Sequence, residues 1–394
     1  MIASDFSFII PVFNRPEEIR ELLESFCALE SPKTFEIVII EDGSTLDSKL
    51  IVDHFQDLLK ISYYAKENTG PGHSRNYGMQ RAKGRYFIIL DSDCILPPTY
   101  LEAVITKLNS HYVDGFGGPD TAKDSFTEFQ KAINFSMTSY MTTGGIRGGK
   151  ISIENYEPRS FNMGISKEAF QATGGFGRIH PGEDPDLSIR LKEMGYHLHL
   201  IPEAFVFHKR RISLDSFYTQ VNKFGQARPI LNKWHPHTKR LTYWFPTLFC
   251  LGFVLAIILA VNAIYWPVYL LGVYFLTAFF MAFNATKNIT VSLLSLVAIG
   301  IQFFGYGKGF YDNFLKNCKS NILKIGISFF ELSKIVFLDF LILLFALFLG
   351  LLQLLKRIYL FDLQWHIIPK IVFLMQFSAQ KNQLEFQLFV SLFD

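Results

Sequence analysis

Charge is scarce in this 394-residue chain: Asp, Glu, Lys and Arg make up 19% of it, against about 25% in a typical globular protein. That scarcity excludes an intrinsically disordered chain and a polyelectrolyte that binds nucleic acid. The balance of 38 basic and 35 acidic residues, net +3, singles out no acidic partner. Cysteine is scarce as well. Cys27, Cys94, Cys250 and Cys318 lie far apart with no Cys-x-x-Cys pair, which argues against a disulfide framework and a thiolate zinc site and suits a reducing compartment. No basic leader opens the sequence: Asp5 precedes the first apolar run and Pro11 cuts it short, so the start does not read as a secretory signal and the N-terminal half is expected to stay cytosolic. A P-loop and a G-x-G-x-x-G fingerprint are also missing, which leaves ATP cleavage and dinucleotide binding without support.

What the chain has instead is apolar length, with 49% hydrophobic residues. Between residues 241 and 307 the only ionised side chain is Lys287, whereas Lys209, Arg210, Arg211, Arg228, Lys233, Lys239 and Arg240 crowd the stretch before it. This shift marks a boundary near residue 235. Residues 241–261, 264–283 and 289–306 each approach the roughly 20 residues needed to cross a ~30 Å hydrocarbon core. A further span is expected at 335–355, although it contains Asp339, a costly residue at the centre of a lipid-facing helix. The basic run before residue 241 belongs on the cytoplasmic face by the positive-inside rule. Three crossings would put Lys308, Lys316, Lys319 and Lys324 outside, against the same rule. Either one segment is re-entrant or the 310–324 region lies flat on the cytoplasmic face.

Residues 1–235 show a different rhythm, in which short β-rich runs (6–10, 35–40, 61–65, 86–90) alternate with helix-like segments (17–28, 47–59, 73–82). Such alternation implies an α/β fold with a mostly parallel sheet, helices on both faces and a ligand crevice beyond the carboxyl ends of the strands. Asp42 falls at such an end, followed by Gly43 and Ser44; it suits either a helix cap or a crevice carboxylate. Asp91-Ser92-Asp93 ends the run 86–90. On an extended backbone the i, i+2 spacing can point both carboxylates to one side, as hard oxygen ligands for Mg²⁺ or Mn²⁺, although a capping turn is the plainer alternative. Between them, Asn68-Thr69-Gly70-Pro71-Gly72 opens a helix that carries Arg75, where backbone amides and a guanidinium suit phosphate. Glu183 and Asp184 open a later helix; there they complement the helix dipole or serve as a general base.

In order along the chain, Ile10-Pro11-Val12-Phe13-Asn14-Arg15, Glu41-Asp42-Gly43-Ser44, Asn68-Thr69-Gly70, Ser74-Arg75-Asn76, Asp91-Ser92-Asp93, Asn162-Met163-Gly164, Gly174-Gly175-Phe176 and Gly182-Glu183-Asp184 resemble the family 2 glycosyltransferases of the GT-A fold. The match runs over most of residues 6–230. It implies a Rossmann-like catalytic domain over 1–235, followed by membrane helices over 236–310 and an amphipathic or hydrophobic tail over 311–394. It further implies that Pro11, Val12, Phe13, Asn14, Asp42, Arg75 and Asp91 bind the nucleotide and that Asp93, with Asp91 and His208, meets Mg²⁺ or Mn²⁺. Asp184 would be the general base, and Glu183 would help hold the acceptor. The implied reaction is inverting transfer of a sugar from a nucleotide-diphosphate donor to a hydroxyl of a lipid-linked or glycan acceptor. The implied setting is a multi-pass inner-membrane protein of polysaccharide assembly with its catalytic domain in the cytoplasm. The sequence departs from the processive synthases, whose Gln-x-x-Arg-Trp spacing fails here because Trp234 comes too late after Gln226. A non-catalytic sugar-nucleotide-binding subunit and, more remotely, a processive synthase are the alternatives; the intact Asp93 and Asp184 argue against the former.

Overall fold

The computed structural model describes residues 1–123, 125–143, 157–209 and 213–322. The chain divides into two compact units, Met1–Cys318 and Lys319–Asp394, and the following concerns the first. Its strands are β1 (Phe6–Val12), β2 (Glu36–Asp42), β3 (Lys60–Lys66), β4 (Tyr86–Leu90), β5 (Cys94–Ile95), β6 (Gly115–Gly117), β7 (Asp120–Thr121), β8 (Asn162–Ser166), β9 (Leu198–Leu200) and β10 (Val206–His208). Helices α1 (Pro16–Cys27), α2 (Lys49–Phe55), α3 (Pro71–Arg81), α4 (Tyr100–Ser110), α5 (Glu128–Thr138), α6 (Tyr140–Thr143), α7 (Lys167–Thr173), α8 (Glu183–Glu193) and α9 (Leu214–Trp234) interleave with them. Three longer helices follow: α10 (Phe245–Val261), α11 (Trp266–Thr286) and α12 (Ile289–Ile322).

Seven strands form one sheet in the order β3-β2-β1-β4-β8-β6-β9, and β5-β10-β7 form a smaller one beside it. Pairing is parallel from β3 through β4 and again between β6 and β9, while β8 runs antiparallel to both its neighbours. The central strands are apolar on both faces because helices cover both. Alternate residues sort cleanly with the two-residue period of a strand. Phe8, Ile10, Val12, Ile37, Ile39, Ile88 and Leu90 pack with Ile19, Leu22, Leu23 and Phe26 of α1 and Leu101 and Val104 of α4. Ile9, Val38, Ile40, Phe87 and Ile89 face the other way, onto Met79 of α3, Phe170 of α7 and Leu187 and Leu191 of α8.

Proline at the first helical position starts both α1 and α3, where its missing N–H costs nothing. The helix expected at 47–59 is shorter, Lys49–Phe55, because the amides of Leu58 and Leu59 both turn back to the Phe55 carbonyl. The span expected at 264–283 is found as α11, three residues later at its end. The segment expected to stop at 306 continues without a break as α12. Among the described residues, three helices are long and apolar enough to cross a membrane: Leu241–Val261, Trp266–Thr286 and Ile289–Lys316. The further span at 335–355, and almost all of the tail, lie outside the described residues.

Candidate functional site

Strands β1 to β4 run parallel, so their carboxyl ends share one edge, and the loops after them carry the site. Asp42 closes β2 with its side chain almost fully buried. Its Oδ1 accepts the Thr69 amide at 2.9 Å and the Lys66 ammonium, and its Oδ2 accepts the Gly70 amide at 2.9 Å. The carboxylate thus fastens the 68–70 turn to the end of β2 and retains one lone pair, on Oδ2, for a ligand. Gly43 makes the turn possible: φ is +76° there, and a Cβ would stand 2.6 Å from the Asn68 nitrogen, so only glycine fits.

Asn14 sits after β1 with φ of 53°. Its side-chain oxygen accepts the Thr45 amide (2.8 Å), the Thr45 hydroxyl (3.1 Å) and the Leu46 amide (3.0 Å). It is therefore the clasp between the loops after β1 and β2. Pro11 is half-buried and Phe13 exposed, whereas the Val12 side chain belongs to the core, which leaves only its backbone for a nucleotide. Glu41 looks like a site acid in sequence but turns the other way: its carboxylate takes the Ser48 amide (2.9 Å), the Ser48 hydroxyl (2.6 Å) and the Tyr63 hydroxyl (3.0 Å).

Arg75, buried in the second turn of α3, joins the remaining parts. Its Nη2 donates to Asp91 at 2.8 Å and its Nη1 to Glu183 at 3.0 Å, while the guanidinium lies 5.3 Å from the centre of the Phe176 ring. Burial disfavours its charge, and Asp91 and Glu183 outweigh that, with a smaller contribution from Asp184, so its pKa lies above the ordinary value. Glu183 is correspondingly anionic. Burial would raise its carboxyl, but the hydrogen bond from His180 and the charge of Arg75 hold it down to about 2. Its side chain is 5% exposed and that of Arg75 4%, so Glu183 is committed to Arg75 and His180.

Asp91 and Asp93 do not share a side of an extended strand. Strand β4 ends at Leu90, and the Cys94 amide bonds back to the Asp91 carbonyl at 3.1 Å, closing a turn that sends the two carboxylates to different partners. Asp91 goes to Arg75. Asp93 accepts from Arg15 Nη1 at 2.7 Å, and its other oxygen lies 3.1 Å from His208 Nε2. His208, at the end of β10, stacks on Phe161 with centroids 4.8 Å apart, and its Nδ1 lies 3.6 Å from Asp120. Among the described residues, donor atoms of Asp93, Cys94 and His208 lie close enough together to hold one metal ion. The Cys94 sulfur bonds to the Phe161 carbonyl at 3.4 Å, and burial pushes its thiol well up. That leaves a carboxylate and an imidazole, donors suited to Mn²⁺ and, through the oxygen, Mg²⁺. Asp184, in the first turn of α8, has a side chain 18% exposed and lies 3.9 Å from Arg159 Nη1.

The structure therefore joins Asp91 and Glu183 through one buried guanidinium, with Asp184 near enough for its charge to act on it; Asp93 gathers Arg15 and His208, and Asp42 stands apart on the 68–70 turn. Arg15, Lys66, Arg159 and His180 went unread in the sequence. Arg15 and Lys66 carried a signal, since each follows or ends a parallel strand at its carboxyl end. The His235 and His237 pair is structural: His235 bonds Asp186 at 2.9 Å and Glu193 at 3.3 Å. Because the Glu183 carboxyl is depressed, its share of stability is complete above its ordinary value of 4.5 and is lost as pH falls toward about 2. Acid unfolding of Glu183→Gln should accordingly be less steep over that window than that of the parent, as read by denaturation curves at successive pH values.

The mostly parallel sheet with acids at its carboxyl edge is the GT-A arrangement. Residues 7–174 match Glycosyl transferase family 2, and over this N-terminal stretch the chain is similar to that family. The poly(ribitol-phosphate) beta-N-acetylglucosaminyltransferase TarS of Staphylococcus aureus is 33% identical over 112 residues, 28% of this chain and 20% of TarS. Chondroitin synthase of Escherichia coli is 24% identical over 242 residues, 53% of this chain and 35% of the synthase. The chain thus spans about a fifth to a third of the length of these curated relatives. Among solved structures, the mannosyltransferase PcManGT of Pyrobaculum calidifontis, in complex with GDP-Man and Mn²⁺, superposes with a TM-score of 0.54 at 16% identity, over 75% of this chain and 87% of that one.

Proposed function

We propose that the protein is a membrane-associated enzyme that moves one sugar from a nucleotide-diphosphate donor to a hydroxyl of a lipid-linked or glycan acceptor, with inversion at the anomeric carbon. The observation that carries this reading is the assembly of Asp91, Glu183 and Asp184 around buried Arg75, with Asp93, two residues after Asp91, paired to His208. Asp184 opens α8 with its side chain 18% exposed, within reach of an incoming hydroxyl, and it is assigned as the base that takes the acceptor's proton as the glycosidic bond forms. Glu183, consumed by Arg75 and His180, holds Asp184's helix end in place and does not touch the acceptor. Asp42 and the 68–70 turn bind the base and ribose. Arg15, already on Asp93, presents a guanidinium to the donor's diphosphate. Asp93 and His208 would hold a divalent cation, which when bound neutralises charge on the departing diphosphate. The PcManGT complex, with GDP-Man and Mn²⁺ bound on the same fold, supports this assignment.

A single addition fits better than processive synthesis. Arg228 is buried against the Thr238 carbonyl and the Tyr243 ring, so it is committed elsewhere than to an acceptor channel. The test is nucleotide release by purified full-length protein across UDP-, GDP- and dTDP-sugars with Mg²⁺ or Mn²⁺. Metal-dependent release with one donor class is expected, weakened by Asp93→Asn. An absence of both turnover and metal-dependent nucleotide binding across the whole panel would sink the proposal.

A further inference from the structure

Helix α12 is apolar and long enough to cross a bilayer, yet over residues 288–313 one side of it rests on the catalytic domain. Just before it, Asn288 donates to Glu128 of α5 at 3.0 Å. Further along, Ser136 of α5 donates to Gln302 at 2.8 Å, Asn222 of α9 to the Gly305 carbonyl at 3.0 Å, and Asn313 to the Gln226 carbonyl of α9 at 2.6 Å. Between these bonds Ala298 packs with Ile133 and Met137 of α5 and Phe217 and Val221 of α9. Glycines bring the backbones together: a Cβ on Gly309 would stand 2.1 Å from the Asn222 carbonyl, and one on Gly225 2.2 Å from the Tyr306 carbonyl. From 288 to 313 the helix rises about 37 Å, more than the ~30 Å hydrocarbon core. A crossing α12 would carry α5 and α9 into the lipid with it, including exposed Glu128, Asp215 and Lys223, where charged side chains are expelled.

The opposite face of α12 is apolar and open. Ile289, Leu293, Val297, Phe304 and Tyr311 are all exposed, and their spacing sets them along one side of the helix. Helices α10 and α11 expose apolar side chains as well, Val254, Ile258, Tyr269 and Val273 among them.

We infer that α12 lies along the membrane surface, its outer stripe in the lipid interface, and that the bilayer is entered by the turn end of the α10–α11 hairpin, since the other end of α11 packs on Phe135 of α5 through Ala278 and Ala282. Both ends of α12 then stay on the side of the catalytic domain. Exposed Lys287, Lys308 and Lys316 join the basic run before residue 241 on that face, where lysines near membrane helices accumulate. Three crossings would have split them. This inference depends on membrane association and is independent of the transfer reaction, so either can fail alone.

The test places single cysteines at exposed positions of the full-length protein in sealed native vesicles: Asp57→Cys in the catalytic domain, Thr290→Cys at the start of α12 and Lys316→Cys near its end. A membrane-impermeant maleimide is applied to vesicles of each orientation, and the modified peptides are resolved by mass spectrometry from those holding native thiols. Each variant is first required to keep the parent's thermal transition. All three positions should label in one orientation, with loss of labelling in the other. Labelling of residues 290 and 316 from opposite faces would establish a crossing helix and overturn the inference.

Discussion

Asp184→Asn should lower turnover by about 10²- to 10⁴-fold, the range that general-base assistance supplies, while donor affinity stays close to that of the parent. The separation follows from geometry. The Asp184 side chain is partly open, and the Arg159 guanidinium stands 3.9 Å away, so an isosteric amide removes the proton acceptor without stranding a deeply buried charge. On the proposed assignment, nucleotide affinity rests on residues of other loops, Asp42 and Asp91 among them. Steady-state kinetics combined with titration of the nucleoside diphosphate separates the two effects. Parent-like turnover in the amide variant would remove Asp184 from the base role, and an equal loss of nucleotide affinity would make it part of the donor site.

Arg75→Met should be the most damaging substitution for stability, because it leaves Glu183 buried beside an absent partner and strips Asp91 of its ion pair. Removing one member of a buried pair costs about 3–5 kcal/mol, since the remaining charge keeps its desolvation penalty. The effect should be seen as a large fall in the midpoint of thermal or denaturant unfolding. Adding Glu183→Gln to Arg75→Met should recover part of the loss by neutralising the stranded carboxylate, a non-additivity that a double-mutant cycle measures directly. If the two losses simply add, the Arg75–Glu183 contact is not coupled in the way its 3.0 Å geometry implies.

The central sheet was legible in the sequence because β1, β2 and β4 are continuous runs of β-branched and aromatic residues buried on both faces, and their bounds agree with the structure to within two residues. The short strands β5, β6, β7, β9 and β10 were not legible, since two or three residues carry no periodicity and exist only through partners far away in sequence; Val206, for example, pairs with Asp120. Among site residues, the ordered motifs brought out Asp42, Arg75, Asp91, Asp93 and Asp184. What they did not reveal is the wiring. Arg75 and Glu183 stand 108 positions apart, and nothing local says that this glutamate neutralises that arginine. The extended-strand reading of Asp91 and Asp93 failed for a local reason: the Cys94 amide closes a turn that the residue types alone permit but do not require. Helix α12 shows the reverse limit. Its composition is that of a span, and it is its bonds to α5 and α9 that carry the proposal of a helix lying on the lipid.

The glycine-mediated seam between α9 and α12 also bears on which acceptors can react. Where two backbones touch, there is little room to slide or tilt, so on the proposed membrane placement the cleft would be held at a set elevation over the bilayer, as a tool is held by a fixed arm. An acceptor anchored in the same lipid must then raise its hydroxyl to that elevation. The number of units between anchor and growing end would thereby act as a ruler, separate from any recognition of sugar identity.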